Sequence, residues 1–345
     1  MERGEPLDLS LNVAPLPPPP SVTKAIKGPH KAAEPGYGRL RKLLAETLDM
    51  PSEEILPGNG SMEIVRLLAR AHLGPGKRAV VLGPVWDEYG KAAREAGAEV
   101  VEIRAKEEDG FWWNPVRTAA EIREARPDVL FLCNPCNPTG IYLEARETAE
   151  ILAAAAPGLA VVDEAYMDFV ESPWVSRTLL EGADTAILRS FTKTFSLWPV
   201  RVGYALGRAE TLERIAAARE PGALSPHVEA VGLAAVAEAD HPRRAREAAR
   251  EGKRLLADGL REMGLETFPT ETSFILVKVP DARAAWEQLR LRGILVRDCT
   301  SFGLPRLLRV GAPPAEAVPE VVAAFAEALQ SVSEHSGDLG SEEGG

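Results

Sequence analysis

Between Arg78 and Gly207 the chain repeats one pattern: a short apolar run, then a segment with helical spacing, then another apolar run. Arg78 to Gly83, Ala98 to Ile103, Asp128 to Cys133, Leu159 to Asp163, Ala186 to Ser190 and Val202 to Gly207 read as strands. Helices are expected from Trp86 to about Ala96, from Pro115 to Ala125, near Ala145 to Ala155, and over Ser176 to Glu181. Most of these strands are apolar throughout rather than alternating, as in strands with both faces covered. Such strands separated by helices form a largely parallel α/β sheet covered on both sides. Ligands of such sheets sit beyond the carboxyl ends of the strands. Here those ends carry polar clusters: Asn134 to Gly140, Asp163 to Tyr166, and Ser190 to Lys193.

The flanks read differently. Leu7 to Asn12 shows partial strand alternation, and prolines at 15 and 17 to 20 bar a helix or a central strand there. Residues 1–36 are therefore expected as an extended arm, and 37–224 as the large domain, opened by an amphipathic helix with Leu40, Leu43, Leu44 and Leu48 on one face. After about Leu224 comes one long helical region, His227 to Met263. A strand at Ser273 to Val279, a helix at Arg283 to Leu291, short strands at Ile294 to Arg297 and Leu307 to Val310, and a helix at Ala315 to Leu329 follow. This makes 225–330 a second, α+β domain. Residues 331–345 have almost nothing to bury and are expected to be a disordered tail.

The net charge of −11 over 345 residues argues against nucleic acid or an anionic membrane as partner. No apolar run approaches the roughly 20 residues of a membrane span, and the first residues lack the order of a signal peptide. Three cysteines make no disulfide framework, so a cytoplasmic, reducing setting is expected. Cys133 and Cys136 form a C-x-x-C without a second pair or a nearby histidine; they read as thiols at a strand end, with no metal.

The chemistry centres on Lys193. Hydroxyls precede it at Ser190 and Thr192, and a guanidinium follows eight residues on at Arg201. A lysine amine can form a Schiff base with an aldehyde. Hydroxyls and a planar guanidinium suit a phosphate. One small molecule with both groups is pyridoxal phosphate. Taken alone, the stretch is as well explained by a surface lysine after a strand, with Ser and Thr in a turn. Gly58-Asn59-Gly60-Ser61-Met62 opens a helix whose first N–H groups could bind an anion; an ordinary capped helix explains it too. Trp86 could stack on a flat ring or simply pack in the core.

Three stretches occur in order: Asn134-Pro135-Cys136-Asn137-Pro138-Thr139-Gly140, Asp163-Glu164-Ala165-Tyr166, and Ser190-x-Thr192-Lys193 with Arg201-x-Gly203-Tyr204 beyond. With them the chain resembles the fold-type I pyridoxal-phosphate enzymes of the class I/II aminotransferase family, from about Leu7 to Leu329. The resemblance implies a mostly parallel seven-stranded sheet in a large domain, a smaller α+β C-terminal domain, and a homodimer. It implies pyridoxal 5'-phosphate as cofactor, with a small amino substrate and a 2-oxo acid. Lys193, Asp163 and Tyr166 take the catalytic places: Lys193 holds the cofactor and then moves a proton, and Asp163 pairs with the pyridinium nitrogen. Asn137 and Tyr166 bond the ring's phenolic oxygen, and Trp86 stacks on the ring. The N–H groups of Gly60, Ser61 and Met62, with Ser190, Thr192 and Arg201, hold the phosphate. Arg309 matches the substrate-carboxylate arginine, and as an edge-strand residue it would instead be surface. Arg297 and Asn12 are further substrate-side contacts.

Two branches are nearest, histidinol-phosphate aminotransferase and threonine-phosphate decarboxylase of cobalamin biosynthesis. Asp87 to Gly90, Asp109 to Phe111, Leu130 to Cys133 and Ile294 to Cys299 look more like the decarboxylase, and Leu16 stands where the aminotransferases usually have a tyrosine. The decarboxylase's N-terminal His-Gly-Gly is absent. The family's Asn-x-Asn-Pro reads Asn12-Val13-Ala14-Pro15 here, and its Pro-Gly before the phosphate arginine reads Trp198-Pro199. The family's Tyr-Pro-Asp-Pro, whose tyrosine reaches a partner subunit's phosphate, aligns with Ala32-Ala33-Glu34-Pro35, and Tyr37, five residues on, is the candidate replacement. The expectation is an aminotransferase of the histidinol-phosphate type. A decarboxylase on the same site is the alternative, and a cofactor-binding protein without turnover the third reading.

Overall fold

A computed structural model describes residues 5–339 apart from 31, 199, 221 and 224, with side chains as far as residue 334. Strand β1 (Leu7–Asp8), helix α1 (Pro20–Lys27) and helix α2 (Gly38–Leu48) open the chain. Strand β2 (Ile55–Gly58) turns at Asn59-Gly60 into helix α3 (Ser61–His72). The expected alternation follows: β3 (Arg78–Gly83), α4 (Glu88–Glu95), β4 (Glu99–Arg104), α5 (Pro115–Ala125), β5 (Val129–Cys133), α6 (Ala145–Ala153), β6 (Leu159–Asp163), β7 (Thr185–Ser190), the single turn α7 (Phe191–Thr194) and β8 (Gly203–Leu206). Helices α8 (Ala209–Ala217), α9 (Pro226–Ala237) and α10 (His241–Glu262) come next. The chain ends with β9 (Thr267–Phe268), β10 (Phe274–Lys278), α11 (Ala282–Leu291), β11 (Ile294–Leu295), β12 (Arg297–Asp298), β13 (Leu307–Gly311) and α12 (Val318–Leu339).

Seven strands form one sheet in the order β2-β8-β7-β6-β5-β3-β4. Strands β3 to β7 run parallel, while β8 is antiparallel to both neighbours. Strands β5 and β6 are buried at every residue, as continuous apolar runs require. A large apolar cluster packs the sheet against its helices. Cys133 is in register with Asp163, and Asp163 with Leu188. The three polar clusters therefore leave the sheet side by side. A four-stranded antiparallel sheet, β12-β13-β10-β9, packs with α10, α11 and α12 around a second apolar cluster. Strand β1 pairs with β11, and Leu9 joins that second cluster, so the arm is sewn into the C-terminal part.

Four expectations are corrected. Residues 1–36 are not wholly extended, because α1 begins at Pro20. Proline is tolerated at the first helical position, where its missing N–H has no intrahelical partner to lose. The region His227 to Met263 is two helices, and α9 joins the main core through Val228, Val231 and Ala235. Gly232 permits this: a Cβ there would lie 2.5 Å from a Leu40 methyl. The packing boundary thus falls after Ala237 rather than at 224. Strand β2 went unrecognised because its four residues end in Pro57-Gly58, a turn signal that here closes an outer strand. Helix α12 continues to Leu339 through residues expected as tail. Arg292 bonds the Glu327 carbonyl at 3.2 Å and the Ser331 hydroxyl at 2.8 Å, and extending an existing helix adds one hydrogen bond per residue fixed. Residues 340–345 of that expectation lie outside the described residues. No described helix is long and apolar enough to cross a membrane.

Candidate active site

Beyond the carboxyl ends of β5, β6 and β7 lies a cavity of ≈ 1200 Å³. Every expected site residue lines it except Gly60 and Thr192. Lys193 sits in α7, a turn so short that it needs anchoring from outside. The Ser190 hydroxyl accepts from the Thr192 N–H at 3.3 Å, and Ala14 N–H donates to the Lys193 carbonyl at 2.8 Å. Lys193 Nζ donates to Asn12 Oδ1 at 2.7 Å and stands 5.6 Å from the centre of the Tyr166 ring. Asn12 Nδ2 in turn donates to the Tyr166 hydroxyl. The arm thus reaches the heart of the site through Asn12, which meets Lys193 and Tyr166.

Burial pushes the Lys193 amine down to about 7; the charges of Arg309 and Arg201 push the same way, and Asp163 opposes them. A large share of the amine is then unprotonated near neutral pH and able to attack or take a proton. Asp163 is raised by burial, against hydrogen bonds from Tyr89 and the Ala165 N–H and the charge of Lys193. The Tyr89 hydroxyl donates to Asp163 Oδ2 at 2.7 Å, and its ring stacks on Phe131 with centroids 5.4 Å apart. Tyr89 was missed as a functional residue. No local pattern marked it, because a tyrosine early in a helix is usually core.

Arg309 lies on β13, between β12 and β10, so it is not on an edge. It is 6% exposed. One terminal nitrogen donates to Asn137 Oδ1, the other to the Ser10 carbonyl at 2.8 Å. Its guanidinium lies 5.2 Å from the Phe274 ring centre, and its Nε is buried without a partner. The residue lines the cavity, and a buried guanidinium there is suited to an anion. Arg297 is the cross-strand partner of Arg309, but it is exposed, bonding Ser301 at 2.9 Å.

At the other side, β8 approaches the start of α3 so closely that a Cβ on Gly203 would lie 2.7 Å from the Ser61 nitrogen. Gly60 has φ +77°, and a Cβ there would meet Arg201 at 3.2 Å. Both glycines keep this corner narrow. No side chain caps α3, so the Ser61 and Met62 N–H groups face the cavity beside Arg201 and are free for an anion. The Gly60 N–H is different: it donates to the Gly58 carbonyl at 2.8 Å, which removes it from the anion-binding set. Thr192 is fully buried off the cavity wall, with its hydroxyl unpartnered. Tyr37 is corrected as well. It is buried, donating to Asn59 Oδ1 at 2.8 Å and accepting from the Ser225 N–H at 2.9 Å. It braces the glycine turn from inside and does not reach outward. Pro199, which stands in the Trp198-Pro199 pair before Arg201, lies outside the described residues. Among the described residues no cluster of His, Cys, Asp and Glu is placed to hold a metal.

A family model described as aminotransferase class I and II matches residues 5–329. The chain belongs to the class I and II aminotransferases. A histidinol-phosphate aminotransferase of Symbiobacterium thermophilum is 37% identical over 330 residues, 94% of this chain and 89% of the relative. That of Akkermansia muciniphila is 32% identical, over 89% and 86%. The aspartate aminotransferase of Thermus thermophilus with maleate superposes with a TM-score of 0.82 at 27% identity, covering 94% of this chain and 92% of that one. The histidinol-phosphate aminotransferase of Sinorhizobium meliloti in complex with pyridoxal-5'-phosphate has the same fold, with a TM-score of 0.87 at 22% identity over 96% and 92%.

This aminotransferase has an outer cavity wall that the sequence did not reveal. Arg283, Trp286 and Arg290 project from α11, the two guanidiniums lying 4.7 and 5.6 Å from the indole centre. Arg66 completes the rim, paired with Glu88 at 3.1 Å. On a charged helix these residues read as solvated surface, and only the packing of α11 beside β12 brings them to the mouth.

Proposed function

We propose that this pyridoxal-phosphate-dependent aminotransferase takes its amino group from a small amine bearing a phosphate, of the histidinol-phosphate kind, and passes it to a 2-oxo acid. One observation carries this reading: the half-buried Lys193 amine shares its cavity with the buried Arg309 guanidinium. A reacting amine and an anion anchor are what such a donor needs. The naming of the relatives supports the phosphate.

The residues fit the cofactor. Ser61 and Met62 N–H groups, the Ser190 hydroxyl and Arg201 would hold its phosphate in the corner narrowed by Gly60 and Gly203. Asp163 would face the ring nitrogen, held there by Tyr89. Asn137 and Tyr166 would donate to the ring oxygen: Asn137 Oδ1 is taken by Arg309 and the Tyr166 oxygen accepts from Asn12, which leaves a donor on each. Trp86 would cover the ring. Bound pyridoxal phosphate supplies an aldehyde for the substrate amine and a ring that accepts the electron pair at Cα. Lys193 Nζ then takes the proton from substrate Cα and returns it one carbon away, and its depressed pKa suits both directions at neutral pH. Arg309 orients the substrate anion so that the Cα–H bond faces Lys193. We take the working form to be a cytoplasmic homodimer; three free, buried cysteines accord with a reducing setting.

The test mixes the cofactor-loaded protein with histidinol phosphate, and separately with threonine phosphate, without an acceptor. Conversion of the visible cofactor band to one near about 330 nm, the cofactor's amine form, identifies amino transfer and its donor. Carbon dioxide release with the original band restored establishes decarboxylation instead. No change with either compound removes the phosphorylated donor from the reading.

A further inference from the structure

Asp163 and Ser190 end adjacent strands and turn toward the cavity. Their chain neighbours Glu164 and Arg189 turn to the opposite side, as strand alternation requires. There they meet. Arg189 Nε lies 2.8 Å from Glu164 Oε2, and the Glu164 side chain is wholly buried. Ser176 Oγ donates to Glu164 at 2.5 Å and Trp174 Nε1 at 3.0 Å. Arg189 donates to Ser176 at 2.7 Å and pairs with Asp168 at 3.4 Å. Asp168 then accepts from the Thr194 hydroxyl at 2.6 Å. Thr194 is the residue after Lys193. Its carbonyl also meets His241 Nε2 of α10 at 3.1 Å.

A buried ion pair is weak evidence for stability, because desolvation cancels most of its attraction and an apolar replacement is often neutral. What it does well is fix geometry. This one closes behind the two strands that present Asp163 and Lys193, and reaches Lys193 through a four-residue helix with little hydrogen bonding of its own.

We propose that Glu164, Arg189 and Asp168 are positioning residues: a charged bracket behind the sheet that holds Lys193 in place through Thr194. None of them lines the cavity, and none is in the set that would touch cofactor or substrate. The bracket rests on the reading of Lys193 as the reacting amine. It adds that the placement of the half-buried amine at the cavity wall is set from the far side of the sheet. Loosening the bracket lets the lysine turn shift and exposes the half-buried Nζ further to the water of the cavity. The amine then moves up toward its ordinary value, since burial is the main cause of its depression.

The experiment compares Thr194→Val, Thr194→Ser, Asp168→Asn and Arg189→Met with the parent enzyme. The first readout is the pH dependence of Lys193 acetylation by acetic anhydride in the cofactor-free protein, followed by peptide mass spectrometry. The second is kcat and KM of the loaded enzyme. The titratable groups that face Lys193 (Arg309, Arg201, Asp163, Cys133 and Tyr166) are unchanged in all four variants. Thr194→Val, which keeps the shape and removes the hydroxyl, should raise the labelling midpoint by about one pH unit and lower kcat about 10-fold with KM within about 3-fold. Asp168→Asn and Arg189→Met should move both further, and Thr194→Ser should restore parent behaviour. A parent-like midpoint in Thr194→Val overturns the proposal, whether or not kcat falls, and it does so even if Arg189→Met fails to fold. Should Lys193→Ala itself retain turnover, the reading of the reacting amine fails instead, and the two failures are told apart.

Discussion

At the inner end of the cavity the polar groups are buried and bonded to residues far away in the chain. Lys193 meets Asn12, Asp163 meets Tyr89, and Arg309 meets Asn137 and Ser10. At the mouth the arginines are exposed, and those of α11 and β12 are bonded close by while Arg66 pairs with Glu88. Arg283 pairs with Glu287 one helical turn on, Arg297 with Ser301, and Arg290 rests against the ring of Trp286. An inner group cannot be removed without leaving a buried partner unpaired, which costs far more than the bond contributes. An outer group can be removed almost freely, because exposed ion pairs are worth little. The two ends therefore hold different parts of the function. The inner end fixes what chemistry is done, and the mouth only weighs which substrate arrives.

The contrast is tested most severely at Lys193. Lys193→Ala should abolish the borohydride-reducible cofactor linkage and lower kcat by at least about 10⁴-fold; turnover that survived would break the assignment of the inner end. Arg309→Met comes next. It removes the anchor and leaves Asn137 Oδ1 and the Ser10 carbonyl without their donor, so KM for an anionic donor should rise about 100-fold, independent of salt. Tyr89→Phe is milder. The Tyr89 hydrogen bond lowers the Asp163 pKa against burial, so its loss raises that pKa. Ionised Asp163 is then lost sooner as pH falls. The acid limb of the kcat profile should move to higher pH, with about a 10-fold loss in kcat. An acid limb that stays put would show that Asp163 does not govern it.

The same contrast explains what could be read from the sequence. Strands β3 and β5 to β7 were legible because continuous apolar runs have few alternatives in a fold of this size. The inner residues were legible as Asn134 to Gly140, Asp163 to Tyr166 and Ser190 to Lys193, since their chemistry demands particular side chains at strand ends. Tyr89 was not, because a tyrosine early in a helix is usually core; only the fold places its hydroxyl on Asp163. The Gly60 N–H looked available until the turn at Gly58 claimed it. Helix α1 was hidden by prolines that read as barriers unless one of them occupies the first helical position. Arg283 and Arg290 were illegible for a different reason. Their role depends on where α11 lies against β12, and no local pattern specifies that.

The mouth offers the smallest effect and the finest test. Arg290 has no ion pair among the described residues and lines the cavity beside Trp286, so its charge is available to an incoming anion. It is also exposed, and its field is screened by salt. Arg290→Gln should raise KM for a phosphorylated donor about 3-fold at low ionic strength. The difference should vanish near 1 M salt, where the screening length is about 3 Å. A neutral analogue of the same donor should be bound alike by both proteins, because neither uses the charge. Arg309→Met must behave in the opposite way, with a penalty that salt does not remove, since its site is buried. If Arg290→Gln instead matched Arg309→Met in size and ignored salt, the mouth would be closing over the substrate as a desolvated site, and choice of donor would be made there with the same strictness as the chemistry inside.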